Sequence, residues 1–127
     1  MKREIAIQAG TVLVMAELSN TQAADKIYGA LPIEGRAQTW GEEIYFEIPV
    51  TASLDETARE VVDPGDLGYW PTGRAFCIFF GPTPASRGSE IRAASAVSIV
   101  GKVEGDLSPL KNVGDGEPVR LFVRDQR

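Results

Sequence analysis

The ten residues Trp40-Gly41-Glu42-Glu43-Ile44-Tyr45-Phe46-Glu47-Ile48-Pro49 decide the fold class. Ile44, Phe46 and Ile48 alternate with Glu43, Tyr45 and Glu47, the period of a strand that turns one face to a core, and Pro49 closes it. Trp40-Gly41 reads as the turn that enters this strand, and Ile33 to Gln38 as the strand before it. Further upstream, Ser19-Asn20-Thr21-Gln22 has capping-box spacing with Ser19 as the N-cap. Ala23, Ile27 and Leu31 then form an apolar stripe on a short helix that Pro32 ends. Ile5 and Ile7 pair by pattern with Val12, Val14 and Ala16 across a turn at Ala9-Gly10.

Downstream, residues 51–60 are polar and predict a loop, or one helical turn over 55–60. Asp63-Pro64-Gly65-Asp66 has the residues of a type II turn. Leu67 to Trp70 and Arg74 to Phe80 predict a second hairpin around Pro71-Thr72-Gly73. Its second limb is nearly all apolar, so it is expected to be buried on both faces or covered by a loop. Gly81 to Gly88 predicts an exposed loop. Ala96 to Val103 and Pro118 to Arg124 complete the strands, with a helical turn at Leu107 to Leu110. The chain is therefore mainly β with one clear short helix. Its even strand spacing predicts a closed, eight-stranded antiparallel barrel, since closure removes exposed edges.

At 127 residues, with 43% hydrophobic and 24% charged residues, residues 1–127 are expected to form a single domain with its own core. The net charge of −5 argues against non-specific nucleic-acid binding and against a polybasic membrane contact. There is no histidine, which removes Ser-His-Asp and Cys-His catalysis and histidine metal sites. A single cysteine, Cys77, suits a reducing compartment. The first residues alternate polar and apolar without a leader-like run, and the longest apolar run, Ala75 to Phe80, is far short of the ~20 residues that span a bilayer. A cytoplasmic location is the expectation.

No glycine-rich phosphate-binding motif is present, and no cofactor is predicted. Glu43 and Glu47 share a strand face, but that spacing separates their Cα atoms by about 13 Å, too far for one proton or one metal ion. Cys77, inside an apolar run, reads as a buried, inert thiol. The aromatic residues stand out. Trp40, Tyr45, Tyr69, Trp70, Phe76, Phe79 and Phe80 gather between residues 40 and 80, with Arg36 and Arg74 alongside. Both tryptophans lie at strand ends, beside Gly41 and Pro71, where rims of ligand grooves are built. Arg36, Trp40, Trp70, Arg74 and Phe79 are the predicted binding residues, and whether Trp70 and Phe79 face groove or core stays open at this level.

The Trp40–Pro49 stretch is followed by Gly65-Asp66-Leu67-Gly68-Tyr69-Trp70-Pro71, Gly73-Arg74-Ala75, Phe79-Phe80-Gly81-Pro82-Thr83-Pro84 and Glu90-Ile91-Arg92. In this order the motifs resemble the small prokaryotic cyclophilin-like family, over almost the whole chain. The resemblance implies a cyclophilin-type barrel shorter than that of true cyclophilins, which are peptidyl-prolyl isomerases. In those enzymes an arginine stabilises the twisted amide, aromatics hold the proline ring, and a histidine and a tryptophan stand on the rim. The resemblance makes Arg36 the candidate arginine and Trp40 a pocket aromatic. Aligned on the preceding glycine, Cys77 falls at the pocket phenylalanine and Ala75 at the glutamine. The histidine has no counterpart, and the segment from Val103 to Glu117 that would carry the rim is short and polar. The expected function is a groove that binds a proline-containing peptide segment or a small ligand without efficient turnover. The alternative is a weak prolyl isomerase using Arg36, which requires Arg36 to face the apolar pocket.

Overall fold

The β1–β2 hairpin shows how the alternation is used. β1 (Arg3–Ala9) and β2 (Val12–Leu18) are joined by a two-residue turn whose first residue, Gly10, has φ +60°. Their register sets Ile5 opposite Ala16, Ile7 opposite Val14 and Ala9 opposite Val12, all on the buried face. The computed structural model describes residues 3–124. After the hairpin come α1 (Gln22–Ala30), β3 (Ile33–Arg36), β4 (Gln38–Thr39), β5 (Glu43–Glu47), β6 (Arg59–Val62), β7 (Asp66–Trp70), β8 (Ala75–Phe79), β9 (Ile91–Glu104) and β10 (Pro118–Val123). Short 3-10 turns span Pro71–Gly73 and Ser108–Asn112.

The ten strands form one antiparallel sheet in the order β3-β10-β1-β2-β9-β7-β8-β5-β4, with β6 attached to β9. The predicted closed eight-stranded barrel does not form. The sheet is open, and its terminal strands β3 and β4 share no ladder. They are consecutive pieces of chain with only Ala37 between them, too close in sequence to turn and pair side by side. β3 spends its pairing on β10, with Arg36 opposite Pro118, while two-residue β4 pairs with β5.

β9 is the longest strand, and the sequence pattern predicts only its latter part, Ala96 to Val103. Its latter half pairs with β2 and β7, whereas its first half pairs with β6. Register shifts on both pairings bend the strand, as bulges do. The β6–β9 arm folds back over β5, β7 and β8, so of the 51–60 segment predicted as a loop, residues 51–58 are irregular while Arg59 and Glu60 begin a strand.

Two apolar clusters result. Inside the sheet, Ile44, Phe46 and Ile48 meet Leu67, Tyr69, Phe76, Ile78 and the helix residues Ala23, Ala24 and Ile27. Outside it, Ala75, Cys77 and Phe79 are covered by Val62, Ile91, Ala93 and Val97 of the arm. All five residues of β8 are buried, as its apolar run predicts. The 81–88 loop is not simply exposed: Gly81 and Thr83 are buried, and the Thr83 hydroxyl donates to the Arg92 carbonyl.

The helix starts later than its capping-box spacing suggests. Thr21 is the N-cap, and its hydroxyl accepts from the Ala24 N–H at 3.1 Å. Ser19, Asn20 and Thr21 are all good caps, so residue preference alone cannot choose among them. Ser19 instead continues the β2 edge, its N–H donating to the Val100 carbonyl, and its buried hydroxyl has no partner among the described residues. Thr21→Ala should therefore cost about 1 kcal/mol of stability, whereas Ser19→Ala should cost none or stabilise. Urea unfolding midpoints of the two variants check this, and the reverse ranking would restore Ser19 as the cap.

Candidate functional site

β5 presents two faces, and the outer one builds the site. Glu43 and Tyr45 point away from the inner core, opposite Phe79 and Cys77 of β8. The sequence alternation predicts solvent on this face. The β6–β9 arm covers it instead, and Glu43 is only 6% exposed. The cover is incomplete. Between β5 and the arm lies a pocket of about 230 Å³, walled by Trp40, Tyr45 and Trp70, roofed by Ala93, Ala94 and Val97, and including Glu43.

Local structure fixes both tryptophans. The Trp40 N–H donates to the Glu43 carbonyl at 2.9 Å across the turn between β4 and β5. Gly41 in that turn has φ +63°, and a Cβ there would stand 2.8 Å from the Thr83 Cα. Only glycine lets the turn lie against the 82–84 segment, where the Glu42 N–H reaches the Pro82 carbonyl. Trp70 ends β7, and its Nε1 donates to Ser95 Oγ at 2.6 Å. A Cβ on Gly73 would come within 2.9 Å of the Trp70 six-membered ring, so the indole lies over that glycine.

The pocket carries an unusual charge. Among the described residues no ion pair involves Glu43, and the Cys77 thiol donates to the Ala75 carbonyl at 3.9 Å. Burial dominates, pushing the Glu43 carboxyl up to about 7, with the nearby Cys77 thiol pulling the other way. Cys77 is itself held well above the usual thiol range by burial, then by the negative charge of Glu43. It is a structural thiol and no nucleophile at neutral pH.

The predicted binding residues separate. Trp40 and Trp70 come together on this pocket. Phe79 is fully buried in the outer cluster, opposite Glu43. Arg74 is exposed and pairs with Glu47 at 2.6 Å. Arg36 lines a different groove, with Gln8, Glu34 and Arg120, and its Nη1 donates to the Gly116 carbonyl at 3.0 Å. That groove is larger, about 480 Å³, but it is an open, polar surface trough. Its Arg120–Glu34 pair, 3.8 Å apart, already answers one charge with another. The smaller pocket has aromatic walls and a desolvated carboxylate, so it is the better candidate. Glu43 escaped the sequence reading because strand alternation assigned it to water. The signal that could have found it is the all-apolar β8 strand, because a neighbour buried on both faces implies a covered outer face for β5 as well.

The family model described as cyclophilin-like matches residues 3–122. The chain belongs to the cyclophilin-like family. A solved relative of this cyclophilin-like chain is a hypothetical protein from the archaeon Archaeoglobus fulgidus, known from a solution structure. The two are 37% identical, with a TM-score of 0.82, over 96% of this chain and 95% of that one. No curated protein matches.

Glu43 gives a pH test of this cyclophilin-like fold. The folded carboxyl holds its proton up to about pH 7, whereas the ordinary value is 4.5. Protonated Glu43 therefore contributes stability that is full below pH 4.5 and is lost as the pH rises through 7. The gap corresponds to about 3 kcal/mol. Glu43→Gln, which stays neutral, should match the parent at pH 4 and exceed its stability by up to about 3 kcal/mol at pH 8. Urea unfolding at the two pH values measures this, and a pH-independent difference would mean that the carboxyl titrates elsewhere.

Proposed function

We propose that this chain is a binding domain whose outward pocket takes a small ligand between Trp40 and Trp70 without turning it over efficiently. The observation that carries this reading is the convergence of two tryptophans from different strand ends on one pocket of about 230 Å³. Ligand pockets commonly span about 300–1,000 Å³, so this one suits a small molecule, or at most a single ring of a larger one. A proline ring is of that size, but an extended peptide segment needs a longer trough.

Prolyl isomerisation needs a donor aimed at the twisted amide beside the ring pocket. Arg36, the candidate arginine, lines the other groove. Among the described residues, those around the ring pocket include no arginine or lysine. Glu43 can hold or give a proton near neutral pH, but general acid–base chemistry also requires groups that fix the reacting atom. Apart from the Tyr45 hydroxyl, the other walls are indole rings and small apolar side chains. Binding is what this arrangement does best.

The test is a titration followed by tryptophan fluorescence and amide NMR, using single-ring compounds and a short X-Pro peptide. Single-ring compounds should shift signals around Trp40, Trp70 and Ala94. Ala94→Trp, which fills the pocket from an exposed position, should abolish those shifts without unfolding the chain. In a prolyl-isomerisation assay the parent should give no acceleration. Acceleration that disappears in Arg36→Ala would overturn the binding reading in favour of a reduced isomerase.

A further inference from the structure

We infer that the ligand of this pocket is a small organic cation, an ammonium group on a ring-sized apolar body, with its charge set against Glu43 and the aromatic walls. The inference rests on the pocket being a ligand site, and it deepens that reading by naming the class of ligand. Four observations converge on it.

First, the pocket includes a carboxylate that is nearly sealed from water and lacks a cationic partner among the described residues. A buried carboxylate without a counter-charge is destabilising, and a ligand that supplies the charge recovers that loss on binding. Second, the remaining large walls are Trp40, Tyr45 and Trp70, the two ring types whose π-systems hold cations best. Third, no lysine or arginine among the described residues lines the pocket, and the chain as a whole carries −5, so an anionic ligand meets repulsion at long and short range. Fourth, the size fits. A dry cavity of about 150 Å³ admits benzene, so about 230 Å³ accommodates one ring with a substituted ammonium. A bare metal ion is a poor match, because no group of three His, Cys, Asp or Glu side chains comes together among the described residues.

The protein's own groups support the role. The buried Cys77 thiol behind the pocket, held neutral by burial, carries no charge that could compete with a ligand. Ser95 holds the Trp70 indole nitrogen at the rim, which orients the ring before a ligand arrives.

The experiment compares three single-ring probes at pH 8: benzyltrimethylammonium as the cation, benzyl alcohol as the neutral and phenylacetate as the anion. Affinities are read by tryptophan fluorescence and amide NMR. The cation should bind at least about tenfold more tightly than benzyl alcohol, the scale of a desolvated cation–π and charge contact, and phenylacetate should not bind. Glu43→Gln should remove that preference, bringing the affinities for the cation and for benzyl alcohol to within about twofold of each other. Trp70→Leu, at a half-buried position, should also weaken the cation selectively and decides the matter if Glu43→Gln does not fold. Equal binding of cation and neutral, or a cation affinity unchanged in Glu43→Gln and Trp70→Leu, would overturn the inference and leave the pocket as a ligand site. Failure of all three probes to bind would overturn the pocket reading itself.

Discussion

Burial of β8 on both faces is the constraint on which the rest depends. Phe76 and Ile78 point into the inner core, and Ala75, Cys77 and Phe79 point the other way. Fully burying one phenylalanine is worth up to about 3 kcal/mol relative to leaving it in water, so an uncovered outer face would forfeit Phe79 at once. The chain answers with the β6–β9 arm. This requires β9 to be long, because one strand must serve the main sheet with its latter half and the cover with its first. It also requires bends, and the two register shifts supply them.

The cover is built for closeness except at one place. Gly68 on β7 has no Cβ, and one built there would stand 2.9 Å from Val97, so the arm presses directly on the sheet at that point. Near the tip of β5 the arm presents Ala93 and Ala94, whose small side chains leave a gap against Trp40 and Trp70. Larger residues would fill the gap and add apolar burial. The space therefore adds nothing to stability, and neither does Glu43, whose burial raises its pKa and costs free energy above pH 4.5. A cavity and a desolvated carboxylate at one spot are two local concessions of the kind found where a protein binds or reacts.

Much of the fold was legible because it follows from periodicity and turn chemistry. The β5 core face, the glycine turns at Gly10 and Gly65 and the buried β8 run follow from Ile44-Phe46-Ile48, from glycines at positive φ and from continuous apolar residues. Sheet closure was not legible, because pairing between distant strands depends on register and on how much edge each one offers. The open sheet solves its edge problem by other means. β4 is two residues long, β3 is four, and β3 carries charged Glu34 and Arg36, all of which discourage pairing with another chain. The helix cap was misplaced for a similar reason, since three successive polar residues offer the same local chemistry and only tertiary packing singles out Thr21.

The candidate site was legible in its walls and hidden in its charge. Two tryptophans at strand ends beside Gly41 and Pro71 are a local signal, and the structure does place them on one pocket. Arg36 illustrates the limit of reasoning from resemblance. Its position after the helix matches a cyclophilin arginine by order along the chain, yet the β3–β10 pairing sets it opposite Pro118, and it lines the polar trough. Glu43 shows the complementary limit. Alternation places a side chain on a face but says nothing of what covers that face, and here the covering element arrives some fifty residues later in the chain as the first half of β9. Membership of the cyclophilin-like family therefore accounts for the sheet and its arm. The chemistry of the pocket lies in residues other than the arginine and histidine of true cyclophilins, so function has to be argued from that carboxylate and its aromatic walls.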